Sequence, residues 1–185
     1  MAIEKHTTEG LVLEAYDQGE HDKAFKVFTR DFGLLICHAK GIRKLESKLR
    51  AHMLPRSFSL ITLVQGREVW RLVGAEGRHG NDTWYIHEVT QILGRFIKGE
   101  GSHKALYDRV KRLAESLPLF DEQKVRLLLY FVVFVDLGYA DATVIGIQGI
   151  DEYKKMTIDE LYTHLLLNHT AVRAHVLTVL KETQL

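Results

Sequence analysis

The stretch LLICHAKGIRKLESKLRAHMLPRSFSLITLV, Leu34 to Val64, decides the fold. It holds two strand-like apolar bursts, Leu34-Leu35-Ile36-Cys37-His38-Ala39 and Phe58-Ser59-Leu60-Ile61-Thr62-Leu63-Val64, joined by a connection from Gly41 to Arg56 that is too long for a hairpin. That connection is basic and partly helical in pattern, through Leu45, Leu49 and Met53. Upstream lie two more bursts, Leu11-Val12-Leu13-Glu14-Ala15-Tyr16 and Ala24-Phe25-Lys26-Val27-Phe28-Thr29, and downstream a fifth, Val69-Trp70-Arg71-Leu72-Val73. Turn chemistry at Asp17-Gln18-Gly19, Arg30-Asp31-Phe32-Gly33 and Gln65-Gly66-Arg67 gives connections short enough for antiparallel neighbours. Five strands with an excursion between the third and fourth predict an OB-fold barrel, the excursion plugging one end. Periodicity alone also admits an SH3-like barrel.

After the glycine-rich stretch Gly74 to Asn81 the period becomes helical and stays so. The expected class is therefore α+β, with a barrel domain over residues 1–78 and an all-α domain over 79–185. Asp82 or Thr83 can cap a first helix carrying Trp84, Ile86, Val89, Ile92, Leu93, Phe96 and Ile97, and Ser102 a second carrying Leu106, Val110 and Leu113. Pro118 interrupts. Asp121 caps an apolar helix that Gly138 ends, Thr157-Ile158-Asp159-Glu160 has capping-box spacing, and a last helix follows Thr170. The greasiest run, Val125 to Leu137, is shorter than the roughly 20 apolar residues of a spanning helix and contains Arg126 and Asp136, so it predicts a buried core helix and no membrane.

Catalytic patterns are absent: there is no phosphate loop, no dinucleotide-binding glycine motif and no nucleophile elbow, so no enzyme is expected. His87-Glu88 opens like a zincin motif, but Gln91 stands where the second histidine belongs. His164, His169 and His175 do not share one helical face, and the single cysteine, Cys37, supplies neither a disulfide nor a cysteine-rich zinc site. No metal or cofactor is expected. The N-terminus, Met1-Ala2-Ile3-Glu4-Lys5-His6, lacks the organisation of a signal peptide; with the lone cysteine, this predicts a cytoplasmic protein.

The formal net charge is only +1, but the connection between the third and fourth strands concentrates Lys40, Arg43, Lys44, Lys48, Arg50 and Arg56 against one acid, Glu46. Cations on a barrel-end loop can follow phosphates and release counterions, which makes these six the expected DNA-binding residues. Phe25, Phe28, Phe58 and Trp70 either stack on bases or fill the core; sequence does not orient them.

A family pattern runs through this half: Thr8-Glu9-Gly10-Leu11-Val12-Leu13, Gly19-Glu20-His21-Asp22-Lys23, Phe28-Thr29-Arg30-Asp31-Phe32-Gly33, Ala39-Lys40-Gly41-Ile42-Arg43-Lys44 and Ser47-Lys48-Leu49, then Leu54-Pro55, Phe58-Ser59, Trp70-Arg71-Leu72 and Gly74-Ala75-Glu76. Together these resemble the N-terminal domain of the RecO family, and Leu137-Gly138-Tyr139 after the apolar helix resembles its helical domain. Many members of that family carry a four-cysteine zinc site after this element, where the present chain has Ala140-Asp141-Ala142-Thr143-Val144-Ile145-Gly146. The resemblance implies a recombination mediator that binds single- and double-stranded DNA, anneals complementary strands and helps load recombinase onto strands coated by single-strand-binding protein. It implies two protein partners, RecR and the C-terminal tail of single-strand-binding protein. For that tail, the basic and apolar stretch with Lys104, Arg109, Lys111 and Arg112 is the expected site. Two other readings are an OB-fold module for RNA, an oligosaccharide or a protein edge, and an adaptor whose basic loop meets an acidic partner.

Overall fold

A computed structural model describes residues 4–67, 69–77, 83–116 and 121–183. Met1-Ala2-Ile3, the strand-to-helix switch expected at 78–79, the alternative cap Asp82 and the interrupting Pro118 lie outside these residues. The chain divides into two compact units, Met1–Lys104 and Ala105–Leu185.

The first unit is a closed barrel of five strands, β1 (Lys5–Gln18), β2 (Asp22–Thr29), β3 (Gly33–Ala39), β4 (Phe58–Gln65) and β5 (Trp70–Gly77), in the order β1-β2-β3-β5-β4. All neighbours are antiparallel except β3 and β5, and closure comes from β1, which pairs with β4 over Lys5 to Leu11 and with β2 over Gly10 to Gln18. The strand therefore has to pass from one half of the barrel to the other near Gly10. A Cβ there would stand 2.6 Å from Val27 Cγ1, so a larger residue would have to displace that buried side chain. This is the OB architecture expected from the sequence.

Alternation along the strands sends Val12, Phe25, Val27, Leu35, Cys37, Ile61, Leu63, Trp70 and Leu72 into one core. Phe25 and Trp70 belong to this core, whereas Phe28, fully buried on the opposite face of β2, lies 6.5 Å from the His103 ring, and Phe58 is half-buried. The connection between β3 and β4 drives Ile42 and Met53 into the same core and so plugs one end. Its expected helical pattern is not realised. Only a 3-10 turn forms, at Arg50–His52, and Leu45 is 93% exposed, because the plug uses residues near the ends of the connection and its middle needs no apolar face.

Helix α1 (Trp84–Phe96), capped by Thr83, belongs to the same unit, with Lys26 Nζ reaching Gly94 O at 3.5 Å. The segment after it straps across the turn between β2 and β3: Leu34 N donates to Gly99 O at 3.2 Å and Gly101 N to Phe32 O at 3.2 Å. Gly33, at φ +73°, meets this strap so closely that a Cβ would lie 2.2 Å from Gly101 O.

The second unit contains the rest of α2 (Lys104–Ser116), together with α3 (Glu122–Asp136), α4 (Ile150–Lys155), α5 (Ile158–Leu167) and α6 (His169–Glu182). The apolar run is α3, with Val125, Leu128, Leu129 and Phe131 to Val135 buried. Asp121 caps it, and Gly138, at φ +80°, follows its end. Thr157 and Glu160 form the expected capping box at α5. Helix α4 was not expected, because six residues are too few to show a helical period. Among the described residues no helix is long and apolar enough to cross a membrane.

Between α3 and α4, Ala142–Ile145 makes a 3-10 turn capped by Asp141 on Thr143 N at 2.8 Å, with Ala142 and Ile145 buried. His164 and Asn168 bind the carbonyl of Ile145 at 3.1 and 3.0 Å. Apolar packing and hydrogen bonds occupy the segment, and these residues do not offer the ligand set of a four-cysteine zinc site.

Candidate nucleic-acid interface

Burying Ile42 and Met53 fixes the ends of the β3–β4 loop and leaves its charged middle outside. Lys40, Lys44, Lys48 and Arg50 are exposed, and among the described residues none of the four pairs with a carboxylate. Such cations keep their full attraction for an external polyanion.

Arg43 differs. Its Nη1 donates to Gly19 O at 3.1 Å and lies 3.5 Å from Asp17 Oδ2, and its backbone N–H bonds His21 O at 3.0 Å. It ties the loop to the β1–β2 turn. Arg56 is half-buried in the left-handed region, at φ +66°, with its backbone N–H on Val12 O at 2.7 Å. Loop and turn border a cleft of about 380 Å³, whose apolar wall includes Phe25, Ile42, Met53, Leu54 and Pro55 and whose charged rim includes Lys23, Arg43 and Arg50.

The other expected cluster is not one surface. Arg109 is buried: its guanidinium donates to both oxygens of Asp136 at 2.8 and 3.0 Å, bonds the carbonyls of Tyr153 and Lys154, and stacks 4.4 Å over the Tyr153 ring. It is a core residue of the helical unit and is not offered to a partner. Lys104 falls in the barrel unit, 3.2 Å from Asp31 Oδ1. That carboxyl lies below its usual range, first because Thr8 Oγ1 donates to it at 2.6 Å and then because of Lys104. Arg112 is exposed and pairs loosely with Glu115 at 3.5 Å; Lys111 is half-buried.

His87 meets only Gln91 of the abortive zincin pattern, at 3.1 Å, and no group of three His, Cys, Asp or Glu among the described residues could hold a metal ion. Burial pushes the Cys37 thiol up to about 12, so it is not a nucleophile at neutral pH. Arg71 is a further exposed cation outside the expected set. Its signal was alternation: once Trp70 faces inward, Arg71 must face out.

Residues 1–80 match the family model described as "Recombination protein O N terminal". The chain is 35% identical over 142 residues to the DNA repair protein RecO of Heliobacterium modesticaldum, covering 72% of this chain and 52% of that protein. It is 35% identical over 71 residues to the RecO of Rubrobacter xylanophilus, covering 38% and 29%, and 27% identical over 115 residues to that of Halalkalibacterium halodurans, covering 56% and 44%. The chain spans about half the length of these relatives or less. The barrel order and the plugging loop agree with these matches: the chain is similar to RecO proteins, above all through its N-terminal unit.

Proposed function

We propose that this chain acts in DNA repair and recombination by binding single- and double-stranded DNA through the β3–β4 loop and annealing complementary strands. The carrying observation is four unpaired, exposed cations, Lys40, Lys44, Lys48 and Arg50, on a loop whose ends are fixed in the barrel core. Annealing needs no covalent step: cations reduce repulsion between two phosphate backbones, and base pairing supplies the favourable free energy. The names of the relatives support a repair role. We extend the proposal to loading recombinase onto coated strands in the cytoplasm, with RecR and the tail of single-strand-binding protein as partners. Of the residues first expected at the tail site, Lys111 and Arg112 stay candidates; Arg109 does not.

A salt titration tests the DNA reading. If about four cations meet phosphates of a single strand, the logarithm of the binding constant falls against log salt with a slope of roughly −3. Reversing Lys44 and Lys48 to glutamate removes two contacts, flattens the slope by about 1.4 and weakens unrelated sequences equally. Wild-type affinity in that folded variant would move the DNA surface elsewhere. Salt-insensitive binding, or none, would favour an OB module for another ligand.

A further inference from the structure

A second groove, of about 350 Å³, lies on the outer face of the barrel. The parallel register of β3 and β5 sets Cys37 beside Trp70, both inward, and therefore His38 beside Arg71, both outward. Val69 and Val73, each two residues from Arg71, are 40% and 48% exposed, and Ile36, two before His38, is 57% exposed. Lys40 lines the same groove. Among the described residues neither Lys40 nor Arg71 pairs with a carboxylate. The one acid in the lining, Asp22, accepts the Gly41 N–H at 2.7 Å. Free cations beside His38, the one aromatic ring of the lining, suit a single nucleic-acid strand, whose phosphates meet the charges while a base face lies on the ring and its aliphatic neighbours.

The groove and the cleft lie on either side of the loop root: Lys40 lines the groove, Ile42 and Arg43 line the cleft, and Gly41, at φ +64°, turns the chain between them. The β1–β2 turn borders both and bears three carboxylates, Asp17, Glu20 and Asp22. Asp17 is paired with Lys23 at 3.2 Å and Arg43 at 3.5 Å, so it is Glu20, 89% exposed at the tip, whose like charge a continuous phosphate backbone crossing the turn would meet. We propose that the groove holds a second single strand of DNA, so that one barrel carries two strands flanking the loop root. This rests on the DNA-binding reading above and adds how annealing partners meet.

The test counts strands per chain. The 185-residue chain is saturated at low salt with a non-complementary DNA oligonucleotide of about six nucleotides, short enough for one OB-fold track, and the stoichiometry is read by native mass spectrometry. Two strands per chain are expected. Arg71→Glu with Val73→Glu should leave one strand per chain at the affinity of the loop site, and Lys44→Glu with Lys48→Glu should leave one at that of the groove. Annealing of complementary strands should fall at least tenfold in either. Unchanged melting shows that each variant is folded, and Arg71→Ala serves as the milder groove variant. One strand per wild-type chain, or both pairs of substitutions weakening a single binding event, overturns the second strand while leaving DNA binding intact. No binding by the wild type overturns DNA binding itself, and the second strand with it.

Discussion

Arg109 shows how far a residue can depart from what its neighbours in sequence suggest. It sits in the run Lys104 to Arg112, which reads as a solvated basic stretch, yet its partner Asp136 is 27 positions away and only the fold brings them together. Removing one member of a buried, hydrogen-bonded ion pair leaves the other charge uncompensated, so Arg109→Ala should cost about 3–5 kcal/mol in denaturant unfolding. Arg112→Ala, at the surface, should stay within about 0.5 kcal/mol. Equal effects would refute the assignment of Arg109 to the core. Asp31 makes a pH-dependent contribution. Its carboxyl is lowered by the Thr8 hydroxyl and then Lys104, so the charged form is favoured in the folded state; this stabilisation is fully present above the unfolded carboxylate value and is lost as pH falls through the lower folded one. Asp31→Asn should remove that portion of the acid limb, and an acid limb identical to wild type would show that the pair contributes nothing. Local chemistry was readable by contrast: Thr83, Asp121 and Thr157 cap their helices because a cap needs only the next three residues.

At the scale of elements, the five strands were legible because inward and outward positions alternate, and the loop between β3 and β4 was legible as an excursion but not as a shape. Leu45, Leu49 and Met53 keep a helical spacing, yet only Met53 is fully buried, Leu49 partly, and the second anchor is Ile42, which no periodic pattern singles out. The plug is what a tertiary cavity selects, and a cavity has no period in sequence. Ile42→Ala and Met53→Ala should each destabilise the protein by about 2–5 kcal/mol, the range for truncating a buried aliphatic side chain. Leu45→Ala should change stability by less than about 0.5 kcal/mol. A cost at Leu45 equal to that at Ile42 in chemical denaturation would mean that the middle of the loop, not its ends, anchors it.

For the whole molecule, the change of period near Gly77 marks where strand gives way to helix, whereas contacts set the edge of the first unit at Lys104. The two differ because α1 and the strap after it are helical and irregular in sequence but complete the barrel. Beyond Leu34 N to Gly99 O and Gly101 N to Phe32 O, Trp70 Nε1 donates to Glu100 Oε1 at 3.1 Å, and Lys104 pairs with Asp31. A fragment of residues 1–104 keeps all of these; a fragment of residues 1–78 keeps none. Three lost hydrogen bonds at about 1 kcal/mol each correspond to a fall in Tm of roughly 12–24 °C for a domain of this size. The shorter fragment also loses the cover that the strap gives Gly33 and the Trp70 indole nitrogen. Residues 1–104 should therefore melt in one cooperative transition, and residues 1–78 well below it or without a sharp transition. Equal melting temperatures, measured by circular dichroism at matched concentration, would place the working boundary at the change of period and make the strap a mere connector.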